Sequence, residues 1–199
     1  MACAEDQCQT RGHEKFASIR SAMRRDVERL IKHTGGQGAA GLSKKLGALL
    51  TPPIFSLLLY RTAHWLHVNR WTRCAWAMTW LNFYICKVTI TPQSCIGDGC
   101  LVPHPAGVYF HGRAGDDVTL FALCACLPDA PGLAAAVAAG PLLGNRVSVG
   151  GHVCVLGSIH LEDSVKVAPN VRVSGNVPEN VLVISRNTFI ASTSRINAQ

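Results

Sequence analysis

No CxxC pair occurs anywhere in the chain, although nine cysteines are scattered along its 199 residues. Without closely paired ligands of that kind there is no closed zinc spacing, so no metal is expected. Several cysteines fall where small apolar residues belong, which suits a reducing compartment and gives a cytoplasmic expectation. The opening MACAEDQCQTRGHEKF has no apolar core, so no secretory signal is read there. Charge is also scarce, at 16% of residues against 48% hydrophobic, which excludes a disordered chain. The longest helical apolar run, residues 74–86, is interrupted by Thr79 and Asn82. It falls short of the ~20 apolar residues that span a bilayer. Residues 88–199 carry 6 Lys/Arg against 7 Asp/Glu and no aromatic-basic groove, so nucleic acid is not an expected partner.

What the chain does have is a six-residue repeat. Residues 143–178 divide into LGNRVS, VGGHVC, VLGSIH, LEDSVK, VAPNVR and VSGNVP. Leu143, Val149, Val155, Leu161, Val167 and Val173 head the rows, and Val147, Val153, Ile159, Val165, Val171 and Val177 hold the fifth column. Turn formers occupy the third column: Asn145, Gly151, Gly157, Asp163, Pro169 and Gly175. Plain strand alternation has period two and no turn every sixth residue. Two inward branched residues followed by a corner, repeated, describe a parallel β-helix whose coils must stack to bury a continuous core. A less regular block runs from Ile90 to Ala125. Its heads are Ile90, Ile96, Val102, Val108, Ala114 and Leu120, and its fifth column is Ser94, Cys100, Ala106, Gly112, Val118 and Cys124.

The fold expected is mainly β, a parallel β-helix preceded by an α-helical region. Residues 1–87 form the helical region, 88–184 the β-helix, and 185–199 a tail. Apolar residues three or four apart predict an amphipathic helix over 15–32, ended by Gly35-Gly36. A short helix is expected over 43–50, and two apolar helices over 54–68 and 71–86. Residues 127–141 break the six-residue register and are read as an excursion loop. Residues 1–87 hold 13 Lys/Arg against 5 Asp/Glu, and all four tryptophans lie in the two apolar helices. That combination suggests a peripheral membrane contact through 54–86, at the inner face of the membrane, beside the alternative of a packed helical face.

These features resemble the serine acetyltransferase family, left-handed β-helix acyltransferases that use acetyl-CoA. The match lies in Thr91-Pro92, Ile96-Gly97-Asp98-Gly99 and Pro103-His104-Pro105-Ala106-Gly107, together with LLYRTAHWLHVNRW and SAMRRDVERLI. It points to the branch with a TPxxxIGxGxxxPHPxG core, whose members often accompany polysaccharide genes. Left-handedness is implied by the resemblance, as are acetyl-CoA as acyl donor, a homotrimer packed along the β-helix and a site between subunits.

The resemblance assigns His104 as general base. An imidazole exchanges a proton near neutral pH, and two prolines stiffen the corner that carries it. Such a base would deprotonate an acceptor hydroxyl, of serine or of a saccharide, as it attacks the thioester. Gly150, Gly151 and Gly157 are candidates for close approach of the pantetheine arm. Arg146, Lys166, Arg172 and Arg186 are candidates for the phosphates. Three departures stand out. Thr89 occupies the position where the family has an orienting Asp. Pro103 replaces an acidic residue before the histidine, and Gly140-Pro141 replaces a second histidine. In place of that Asp, Asp98 or a backbone carbonyl is expected to orient His104, and His111 is a second candidate nearby. The alternative reading is a catalytically degenerate relative that serves as a scaffold.

Overall fold

The computed structural model describes residues 16–35, 47, 51–129 and 139–185. All of the expected 43–50 helix but residue 47, most of the excursion and the tail with Arg186 lie outside them. Three helices come first: α1 (Phe16–His33), α2 (Pro52–Val68) and α3 (Thr72–Cys86). Pro52 and Pro53 open α2, where a missing N–H goes unused. Lys87, at φ 58°, ends α3 in the left-handed region and returns its N–H to the Phe83 carbonyl at 3.0 Å.

Thirteen short strands follow, wound into three parallel sheets. Face A stacks β1 (Val88–Ile90), β3 (Val108–Phe110), β6 (Ala125–Leu127), β9 (Cys154–Leu156) and β12 (Arg172–Val173). Face B stacks β2 (Cys95–Ile96), β4 (Arg113–Ala114), β7 (Leu142–Leu143) and β10 (His160–Leu161). Face C stacks β5 (Thr119–Leu120), β8 (Ser148–Val149), β11 (Lys166–Val167) and β13 (Leu182–Val183), with Leu101 bridged to Thr119. Successive strands on a face are parallel and come from successive coils, which is a three-faced β-helix. Its core is the row heads and fifth column: Ile96, Leu120, Leu143, Val149, Val155 and Leu161 are all buried. Each such side chain contributes about 1.5–3 kcal/mol when withdrawn from water.

The first block departs from a uniform six-residue register. Ile90 pairs with Phe110, and Phe110 with Cys126. Phe110, not Val108, is therefore the row head that continues face A. Val108 is also buried but pairs with Val88. The corner after Val102 is two residues longer than the others, and the span from Phe110 to Ala114 is two residues shorter. Ala106, expected to point inward, is exposed on that long corner. Pro103 and Pro105 give the reason: they fix φ and supply no N–H, so the chain takes a wider path there.

The corners between faces B and C carry a column of Asp and Asn side chains. Asp116 accepts the Asp98 N–H at 2.9 Å, Asn145 accepts the Asp116 N–H at 2.9 Å, and Asp163 accepts the Asn145 N–H at 2.7 Å. The residue after each turns through positive φ: Gly99, Asp117, Arg146 and Ser164. The ladder of side-chain bonds offsets the strain of left-handed non-glycine residues. Beyond the excursion the coil resumes in register, since Arg113 on β4 pairs with Leu142 on β7.

The helices close the open end of the coil. Tyr60 on α2 donates to the Ser94 carbonyl at 2.9 Å and accepts the Ile96 N–H at 3.1 Å. Arg61 donates to the carbonyls of Ile96 and Gly97, and His64 Nδ1 lies 2.9 Å from the Pro92 carbonyl. Backbone groups that an exposed edge would leave unpaired are thereby satisfied. The Arg61 guanidinium also meets Asp26 of α1 at 3.3 Å, both fully buried. From α1, Arg29 reaches the carbonyls of Gly99 and Val118.

Candidate active site

His104 lies on the lengthened corner between faces C and A of the first coil, and its side chain is exposed. Pro103 before it is buried and Pro105 after it half-buried, so the imidazole stands on an anchored backbone. The corner is held from both sides. The Gly107 N–H donates to the Lys87 carbonyl at 2.9 Å, and the Leu123 N–H of the next coil donates to the Ala106 carbonyl at 2.8 Å. Gly107 adopts φ +63°, and a Cβ there would come 2.5 Å from Leu123 Cδ2. The left-handed backbone favours glycine at that turn, and a larger residue would also push the half-exposed Leu123 side chain aside.

The corner has few free hydrogen-bonding groups. Pro103 and Pro105 have no N–H, and the Ala106 N–H donates to the His104 carbonyl at 2.8 Å. Among the described residues, no side chain hydrogen-bonds to the His104 imidazole. Asp98 does not reach it: Asp98 is on the corner between faces B and C and pairs with Arg25 at 3.8 Å. Asp117 on that same corner pairs with Arg25 at 3.4 Å. Thr89 occupies the outward column of face A, in register with Tyr109. That column continues through Ala125, Cys154 and Arg172.

Gly150 and Gly151 lie on the corner between faces C and A, the same column of corners as His104, two coils further on. A Cβ on Gly150 would stand 2.6 Å from the Val167 carbonyl oxygen, so packing against the next coil already requires a glycine there. Gly151 is open outward: a Cβ there would meet only the Ala122 carbonyl oxygen, at 3.3 Å. Lys166 on face C and Arg172 on face A are exposed and flank this column. Gly157 (φ +94°) is on the corner between faces A and B, and Arg146 on the corner between B and C. Arg146 donates to Ser164 Oγ at 3.0 Å and shares a depression with Arg25, Glu28, Arg29, Lys32 and Asp117. The structure thus gathers His104, Gly150, Gly151, Lys166 and Arg172 around one edge and sets Arg146 and Gly157 on the other two.

His111 is buried rather than beside His104 on the surface, whereas His152 and His160 are exposed. Burial pushes the Cys100 and Cys124 thiols up to about 12, as fits cysteines acting as core hydrophobes. Cys95 is the one described cysteine that is disulfide-bonded. What reading the sequence missed was Tyr109 and Leu123, exposed apolar side chains next to the His104 corner. The register sets Tyr109 outward beside Thr89.

No family model matches the chain. Its sequence is 37% identical over 142 residues to a serine acetyltransferase of Helicobacter pylori, covering 65% of this chain and 75% of that protein. Its fold matches the crystal structure of serine acetyltransferase from Brucella abortus with a TM-score of 0.68 at 20% identity, over 81% of this chain. The chain spans 63% of the length of that structure. A serine acetyltransferase structure in complex with CoA matches with a TM-score of 0.73 at 18% identity, over 89% of this chain and 69% of the other. The H. pylori relationship is long and close enough to decide the matter, and the coil has the same left-handed β-helical fold. The chain belongs to the serine acetyltransferase-like family.

Proposed function

We propose that the chain is an acetyl-CoA-dependent O-acetyltransferase and that His104 is its general base. The observation that carries this reading is the His104 corner itself: an exposed imidazole between two prolines, on a lengthened turn clamped by Lys87 and Leu123. A ring nitrogen of His104 takes the proton of the acceptor hydroxyl as its oxygen attacks the thioester carbonyl. The C–S bond then breaks, and the imidazolium returns its proton to the departing thiolate. The products are an O-acetyl ester and coenzyme A.

The acceptor is serine, by the relatives' names, or a saccharide hydroxyl. Pro103 leaves no carboxylate beside His104 to hold a substrate ammonium, which supports the neutral acceptor. Gly151 and the flanking Lys166 and Arg172 are the groups of this chain suited to the donor's pantetheine arm and phosphates. Within the corner, only the N–H of His104 itself is left to meet a developing oxyanion. A homotrimer would supply the remaining donors from the facing copy.

A second reading, a scaffold without turnover, is favoured by one observation. Thr89 cannot act as an orienting carboxylate, and no other carboxylate among the described residues hydrogen-bonds to His104. Thiol release from acetyl-CoA, assayed with L-serine and with a panel of saccharides, separates the two. Release that depends on an acceptor and is lost in His104→Ala supports the enzyme. No release with any acceptor, together with no heat of coenzyme A binding by calorimetry, supports the scaffold.

A further inference from the structure

α3 is built inside out. Its buried face is Ala75, Thr79, Asn82 and Cys86, at helical spacing, small or polar throughout. Asn82 Nδ2 donates to the Ser56 carbonyl at 3.0 Å, and Thr79 Oγ1 to the Ala75 carbonyl at 3.1 Å. Four large apolar side chains point the other way: Trp80 is 51% exposed, Leu81 39%, Tyr84 67% and Ile85 56%, while Trp76, Met78 and Phe83 on the flanks are half-buried. Trp71, just before the helix, is 64% exposed. Water-facing helices carry the opposite pattern, so this face is made to be covered.

The charge around it indicates by what. From Arg29 to Gly97 the sequence contains no Asp or Glu but eight Lys and Arg. Exposed cations stand at both ends of α3: Arg70 and Arg73 at the start, and Lys87 at the end, its Nζ 5.7 Å from the Phe83 ring centre. Two copies of this face set against each other would bring cations together with no acid from either helix to pair them. A lipid surface with anionic headgroups meets every one of these features. It takes aromatic rings at headgroup depth, apolar side chains just below, and Lys and Arg against phosphate. No helix among the described residues is long and apolar enough to cross a membrane, so contact of this kind is peripheral.

We propose that the outer face of α3, from Trp71 to Ile85, docks the protein onto an anionic lipid surface. This does not depend on the acetyltransferase reading, because lipid binding is measured without any acyl donor.

The test is flotation of the full chain at low salt with vesicles of phosphatidylglycerol and phosphatidylcholine, against phosphatidylcholine alone. Wild-type protein is expected to float with the anionic vesicles. Its tryptophan emission should be quenched by brominated acyl chains. The exposed triple substitution Trp80→Ser, Tyr84→Ser, Ile85→Ser should lower the bound fraction at least fivefold with its circular dichroism unchanged. Arg70→Glu with Arg73→Glu should abolish the preference for anionic lipid. Three results would overturn the proposal: wild-type protein that stays at the bottom of the gradient, a triple variant that floats like wild type, or wild-type binding without quenching. A triple variant whose light-scattering mass drops, when the wild type does not float, would assign the face to a second copy of the chain. If the triple variant does not fold, the quenching of wild-type protein decides alone.

Discussion

The Gly107 N–H donates to the Lys87 carbonyl at 2.9 Å, so the corner carrying His104 is tied to the residue that ends α3. One hydrogen bond joins the helical region to the turn on which the proposed chemistry depends. On the far side, Leu123 Cδ2 occupies the space a side chain at 107 would need.

Gly107→Ala should therefore destabilise the protein by about 1–2 kcal/mol through its left-handed backbone alone, with further loss from contact with Leu123. Adding Leu123→Ala should recover the contact part but not the backbone part. Chemical denaturation of the two single variants and the double variant measures the coupling; strict additivity would show that the two residues do not meet.

Tyr60→Phe removes one hydroxyl that serves both the Ser94 carbonyl and the Ile96 N–H. Leaving two buried backbone groups unpaired should cost about 2 kcal/mol or more. The loss should appear as a lower denaturation midpoint with an unchanged slope.

Asp26 is buried, and withdrawal from water pushes its carboxyl up to about 6 against the opposing pull of Arg61. A carboxyl that holds its proton more tightly folded than unfolded makes stability fall as pH rises from the unfolded value near 3.8 through about 6. Its contribution is most favourable below that window and least favourable above it. Asp26→Asn should flatten this slope. It should also destabilise the protein at neutral pH by about 3–5 kcal/mol, because Arg61 keeps its charge in the interior without a counter-ion. Denaturation midpoints from pH 4 to 7 check both effects.

Much of this architecture is legible in the sequence. The rows from Leu143 to Val177 are buried as their columns require, because an inward branched residue and a corner leave few other arrangements. The register of the earlier block is not legible. In Val108-Tyr109-Phe110 either apolar residue can head the row, and only pairing with Ile90 and Cys126 selects Phe110. The sidedness of α3 is hidden for a related reason: its small and polar stripe, Ala75, Thr79, Asn82 and Cys86, is the buried one, the reverse of what hydrophobic periodicity predicts. At the candidate site, His104 and its exposed position follow from the motif and its prolines. Gly150 was legible as a glycine with a purpose, but its neighbour is the Val167 carbonyl of the next coil. Asp98, one of the two groups expected to orient His104, does not reach it. The winding of the coil puts it on another corner, where Arg25 takes it.

The most direct test of the account is acetyl transfer by His104→Ala, measured as acceptor-dependent coenzyme A release under conditions where the wild type turns over. Removing a general base should lower kcat by about 10²–10⁴-fold, and free imidazole should restore part of the rate through the exposed space the side chain leaves. A variant that releases coenzyme A within a factor of about two of wild type would contradict the role given to His104.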